Sequence, residues 1–341
     1  KSYGPVSMRN ALGNSLNQTA VTLLSKMSYP SFYETLQSLD LINYPHRGPE
    51  HYGLGMVIGN PEVTLVQLAT AYAAIARGGV FIPAKFFVND KSPGTVRIYS
   101  EEASYILTDM LSDPSARHLT FGDFFNQKLP FKVALKTGTS TNYRDGWIVA
   151  YTPQHTVAIW VGNFNGQPTT GMSGAQAAGP ILIDILNELY PNGFSSGFSR
   201  PEGVVSREVC SYSGMKPGKF CPHTKQELFI SGMEPGEICD YHVDPGGTHN
   251  LPPQFTTWLH GKYKKGIEGN YRLAGFSRDL EKTFQEENRI PIKSEAKYKN
   301  AGATIKITNP INGEIYIPNR GRNEIELEAY STCLLYTSDA A

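Results

Sequence analysis

The hydrophobic pattern of the chain changes period once, near residue 131, and this change constrains the fold more than any other feature. Upstream, apolar residues fall at helical spacing. Leu65, Leu68, Ala69, Tyr72 and Ala76 follow Thr64 and stop at Gly78-Gly79, and Ile106, Leu107, Met110 and Leu111 share one face behind Ser100, with Glu101 and Glu102 in the first turn. Downstream, residues 131–138, 145–151 and 155–163 read as strands, the last two joined by a tight turn at Thr152-Pro153-Gln154. Residues 181–189 return to a helix, between Pro180 and Pro191. Strands joined this closely pair antiparallel, and runs as apolar as Trp147–Tyr151 and Val157–Val161 need helices over the sheet. The spacing therefore predicts one α+β domain over residues 1–192.

Further short helices are expected behind Ser7 through Ala11 and Leu12, over 19–27 and over 31–39, and residues 80–88 read as extended. Residues 193–250 hold a Gly/Ser/Phe linker (193–200) and then Cys210, Cys221 and Cys239 among prolines and glycines, with little periodicity. Residues 251–300 form a charged connector with weak helical signal over 277–288. Residues 301–331 alternate again (Ile305, Ile307, Ile315, Ile317, Ile325, Leu327) around an Asn312-Gly313 turn, as the start of a truncated small all-β domain. Residues 332–341 resemble a translated sequencing-adaptor tail. The chain opens at Lys1 in mid-pattern, so both ends read as truncated. With 31 basic and 31 acidic side chains there is no net basic field, and nucleic acid is excluded as a partner.

Lys136-Thr137-Gly138-Thr139 is the sharpest chemical signal: a cation, two hydroxyls and a residue without a side chain at a strand end. Such an edge can pair with an extended peptide, Gly138 permitting close approach while Lys136, Thr137 and Thr139 attract a carboxylate. A solvent-exposed hairpin turn uses the same residues. Ser15-Leu16-Asn17 places a hydroxyl and an amide two residues apart at a helix–helix junction, where a helix cap is the simpler reading. Other motifs fail. Residues 214–219 are one residue short of a phosphate loop, and the eight histidines include no i, i+4 pair around a glutamate. Trp147 and Trp160 lie mid-strand and read as core.

Together the two motifs resemble the second and third elements of the serine acyl-transfer machinery shared by penicillin-binding proteins and serine β-lactamases. The helix at Val6–Leu12, the run Tyr143-Arg144-Asp145-Gly146-Trp147 and the stretch 171–180 are similar to class A (bifunctional) penicillin-binding proteins. The segment around Cys210, Cys221 and Cys239 and the strand at Ile307 are similar to their 1C subgroup. The resemblance implies a transpeptidase fold and a D,D-transpeptidase acting on peptidoglycan stem peptides ending in D-Ala-D-Ala. It also implies acylation by β-lactam antibiotics and a place on the periplasmic face of the bacterial inner membrane, through an N-terminal anchor and beside a glycosyltransferase domain. A D,D-carboxypeptidase, a serine β-lactamase and a non-catalytic β-lactam-sensing or peptidoglycan-binding module are the alternatives. By resemblance Ser15 relays protons, Asn17 bonds the substrate amide, Lys136 holds Ser15, Thr137 and Thr139 bind the terminal carboxylate, and the Thr139 N–H gives half of an oxyanion hole. No Ser-x-x-Lys precedes Ser15, so the nucleophile and its lysine are expected upstream of Lys1 and the chain as written is expected to be inactive. Transpeptidation needs no cofactor. Cys210, Cys221, Cys239 and His242 form an acceptable structural zinc set with a usable Cys239-x-x-His242 spacing, while a disulfide with one spare thiol, or three thiols, remain open.

Overall fold

The computed structural model describes residues 3–252 except 92–93, 123, 126–127, 170, 194–196 and 246–248. Beyond these it describes residues 255, 258, 271–273, 305–309 and 328–331. The chain divides into two units: one of Pro5–Pro217 and His223–Cys239, the other of Lys1–Gly4, Gly218–Pro222 and the chain from Asp240 to Asp339.

The first unit begins with helices α1 (Met8–Gly13), α2 (Asn17–Ser25), α3 (Tyr29–Ser38), the short α4 (Gly48–Tyr52) and α5 (Leu65–Ala76). The caps explain their starts. Ser7 Oγ accepts from the Asn10 N–H at 3.3 Å, and Thr64 with Gln67 forms a full capping box on α5. α3 starts at Tyr29 rather than residue 31, because Ser28 is the cap and Pro30 is tolerated in the first turn. α2 likewise starts two residues earlier than its apolar spacing indicates. The extended reading of 80–88 reduces to β1 (Val80–Phe81), paired antiparallel with β2 (Val96–Arg97). Helices α6 (Glu101–Ser112) and α7 (His118–Phe121) then lead to the sheet.

Strands β3 (Ala134–Thr139), β4 (Asp145–Tyr151) and β5 (Thr156–Gly162) form an antiparallel sheet in the order β3-β4-β5, with Lys136 opposite Val149 and Gly138 opposite Trp147. Period-2 alternation sends Leu135, Ile148, Ala150 and Ile159 to one face. There they pack on Ala178, Leu182 and Leu186 of α8 (Gly174–Leu189). Ala134 and Tyr151 point the other way, against Leu111 of α6 and Tyr72 and Ile75 of α5. Helices thus cover both faces. α8 differs from the sequence reading, which began it after Pro180. Ser173 and Gln176 make a capping box seven residues earlier, and Pro180 sits inside the helix. A proline there removes one N–H bond, and burial of the α8 face outweighs that loss.

The first unit continues past residue 192. Phe198, in the expected linker, packs its ring 5.8 Å from that of Tyr151. β6 (Val204–Cys210) and β7 (Thr224–Ile230) form an antiparallel pair where the sequence shows little periodicity. In the second unit, β8 (His249–Leu251) runs parallel to β9 (Tyr271–Leu273), and Leu251 is buried among Tyr241, Phe255 and Trp258. β10 (Ile305–Asn309) pairs antiparallel with β11 (Glu328–Ser331). The expected Asn312-Gly313 turn, the helical signal over 277–288 and the tail 332–341 lie outside the described residues. No helix among the described residues is long and apolar enough to cross a membrane.

Candidate active site

The site is built where α1 ends against β3. At the end of α1 the Leu16 N–H reaches the Ala11 carbonyl at 2.9 Å and the Ser15 N–H reaches Leu12 at 3.1 Å, the pattern of a helix stop that turns through a left-handed residue. That residue is Ser15, with φ of 56°. Glycine is usual in such a turn, so a serine there is a backbone cost held in place by its surroundings. Asn14 does the holding. It is 2% exposed, its Nδ2 donates to the carbonyls of Asn10 (2.9 Å) and Ala116 (2.5 Å), and its Oδ1 accepts from the Thr120 N–H at 2.9 Å. Gly13 permits this approach, since a Cβ there would stand 2.8 Å from the Ala116 carbonyl.

So fixed, Ser15 meets β3. Lys136 Nζ donates to Ser15 Oγ at 2.6 Å and to the Thr137 carbonyl at 2.8 Å, joining side chains 121 residues apart. Lys136 is half-buried as a residue, but its amine is enclosed, and burial pushes its pKa down from 10.5 to about 8. At neutral pH it remains mostly an ammonium, a donor to Ser15. Asn17 opens α2, half-buried, two residues beyond Ser15.

β3 is an edge strand of the described sheet, as peptide addition requires. Alternation puts Lys136 and Gly138 on one face and Thr137 and Thr139 on the other. Thr137 is buried; Thr139 is exposed, and its Oγ1 accepts from the Gly174 N–H at 2.9 Å, leaving its proton to donate. The start of α8 lies close enough to β3 that a Cβ on Gly174 would stand 2.1 Å from the Gly138 carbonyl. Trp147 and Trp160, expected in the core, are instead half-buried, their rings tilted to each other at 6.3 Å between centroids on the face that carries Lys136 and Gly138. Asn14 carries no sequence signal beyond a polar residue at a helix end; its partners at 116 and 120 are visible only in three dimensions.

The cysteine segment forms two local pairs. Cys210 and Cys239 are buried and hydrogen-bonded through their sulfurs, and Cys221 Sγ lies 3.5 Å from His242 Nδ1. None of the three is in a disulfide.

A helix-covered antiparallel sheet whose edge lysine grips a serine at a helix junction defines the acyl-serine enzymes that react with penicillins. Comparison with known sequences narrows this. Residues 1–187, more than half of the chain, match the family described as "Penicillin binding protein transpeptidase domain", and residues 200–244 match "Penicillin-binding protein 1A, C-terminal domain". The chain belongs to the penicillin-binding protein transpeptidase family. It is 27% identical over 267 residues to penicillin-binding protein 1A of Clostridium perfringens, covering 71% of this chain and 31% of that protein. It is 30% identical over 212 residues to penicillin-binding protein 1C of Escherichia coli, covering 61% and 26%. The chain thus spans about a third or less of these relatives. The fold is also that of penicillin-binding protein 1A of Haemophilus influenzae, with a TM-score of 0.60 at 19% identity over 70% of this chain and 42% of that one. The two matched domains and the 1A and 1C relatives fit a class A protein.

Proposed function

We propose that this chain is the part of a peptidoglycan D,D-transpeptidase that holds and polarises the donor stem peptide, within a bifunctional glycosyltransferase/transpeptidase. The observation that carries the reading is the 2.6 Å Lys136–Ser15 hydrogen bond at an open strand edge. A stem peptide adds to the β3 edge with its D-Ala-D-Ala terminus at Gly138, and Thr137 and Thr139 with Lys136 draw its carboxylate. Asn17 bonds the substrate amide. A serine of a Ser-x-x-Lys motif attacks the penultimate D-Ala carbonyl, the Thr139 N–H meets the developing oxyanion, and the terminal D-Ala leaves with a proton relayed through Ser15. An amine of a neighbouring strand then takes the acyl group. β-Lactams enter as mimics of the same peptide.

The setting is the periplasmic face of the bacterial inner membrane, reached through an N-terminal anchor. A carboxypeptidase or β-lactamase is disfavoured by the match of residues 200–244 to a 1A C-terminal domain, which a stand-alone hydrolase does not need. The sequence holds no Ser-x-x-Lys ahead of Ser15, and the 341-residue chain by itself is not expected to be acylated. In a protein carrying this chain behind such a motif, Lys136→Ala should abolish labelling by fluorescent penicillin while the melting temperature stays within a few degrees. Normal labelling of that variant would remove Lys136 from the chemistry.

A further inference from the structure

The Cys-bearing segment lies outside the Ser15–Asn17 and Lys136–Thr139 motifs, yet it is built with more care than a surface loop needs. β6 ends at Cys210, and the chain folds straight back: the Gly214 N–H bonds to the Cys210 carbonyl at 2.9 Å and the Cys210 N–H to Met215 at 2.8 Å. Inside that turn the backbone N–H groups of Tyr212 and Ser213 point at the Cys210 sulfur. Cys239, held by its N–H on the Lys216 carbonyl at 2.8 Å, hydrogen-bonds to the same sulfur. A second turn repeats the device. The Gly218 N–H donates to Cys221 Sγ at 3.2 Å while the Cys221 N–H bonds back to the Gly218 carbonyl at 3.1 Å, and His242 Nδ1 stands 3.5 Å from Cys221 Sγ. Cys239 and His242 are separated by two residues, so the chain itself ties the second pair to the first.

The Gly218 N–H fixes Cys221 Sγ at its turn beside His242, and the distance within that pair is the one that two ligands of a single metal ion keep. A sulfur at 2.3 Å and a nitrogen at 2.0–2.1 Å on one tetrahedral ion stand roughly 3.5 Å apart, the spacing of Cys221 and His242. Cys210, Cys239 and His242 are buried and Cys221 half-buried, as a closed structural centre requires.

We propose that Cys210, Cys221, Cys239 and His242 bind one structural Zn²⁺. The three thiols bind as thiolates and give up three protons, His242 binds as neutral imidazole, and no electron is transferred. Soft thiolates in a tetrahedral set select zinc over magnesium or calcium. The centre cross-links a loop-rich segment whose two-stranded β6–β7 ribbon is too small to fix its own turns.

The test uses the 341-residue chain, purified under reducing conditions without chelator. Elemental analysis should give one zinc per chain, and Co²⁺ exchanged for it should show thiolate-to-cobalt charge-transfer absorption. Cys221→Ser and His242→Ala should lose the metal on dialysis against a chelator that leaves it in the parent chain. Lys136→Ala should retain it. If a variant fails to fold, the cobalt spectrum of the parent chain alone decides. The proposal falls if the parent chain carries no zinc and takes up no cobalt with three titratable thiols. It also falls if non-reducing mass spectrometry finds a disulfide with one thiol left over.

Discussion

Ser15 spends backbone conformational energy to present a hydroxyl, a position where glycine would relieve the left-handed turn but leave Lys136 without its partner. Asn14 supplies the support from a buried site, so the residue beside the chemistry does the structural work for it. Burial makes Lys136 titrate near 8 rather than 10.5. Its ammonium, the donor to Ser15, prevails below that pH and is lost above it. Penicillin acylation by a protein carrying this chain behind a Ser-x-x-Lys motif should therefore fall as pH rises through about 8. In Lys136→Arg, whose guanidinium stays charged, residual acylation should lack that alkaline limb. A limb unchanged in the arginine variant would assign it to another group.

At the scale of elements, α1 is fastened to α6 and β7 through Arg9. Its guanidinium meets Asp109 at 2.6 Å, Asp113 at 3.2 Å and Glu227 at 2.5 Å. Burial alone would lower the Arg9 pKa, but Glu227 and Asp109 outweigh it and hold the charge. The cluster is asymmetric: one arginine among three carboxylates, helped by Lys225 at 3.3 Å from Glu227. Arg9→Ala leaves the three acids facing one another and should cost roughly 2–4 kcal/mol, discounted from a fully buried pair because Asp109 and Asp113 are partly exposed. Glu227→Gln leaves Arg9 two partners and should cost about 1 kcal/mol or less. Urea melts of both variants check the order, and equal costs would show that the carboxylates do not repel at this site.

Over the whole molecule, the compact unit that holds the sheet does not stop where the transpeptidase pattern does. Phe198 on Tyr151, buried Val204 and Val209 and the Glu227–Arg9 pair all lie beyond residue 192. A chain cut after residue 192 should therefore melt several degrees lower than the 341-residue chain by calorimetry, since each kcal/mol moves a domain of this size by about 2–4 °C. Equal melting would make the β6–β7 pair a passenger. What the sequence determined by itself is local. Caps at Ser7, Thr64 and Ser100 and alternation over 145–151 need only near neighbours, and the Lys136–Thr139 and Ser15–Asn17 motifs were legible because their order along the chain is their signature. The start of α8 at Gly174 is local too, since the Ser173–Gln176 capping box sets it and Pro180 does not. The tertiary structure decided the rest: that Ser15 and Lys136 touch across 121 residues, that Asn14 is anchored at 116 and 120, and that two tryptophans face the site rather than the core. Those depend on strand register and on helices docking from distant parts of the chain, and neither leaves a periodic trace in the residues that make them.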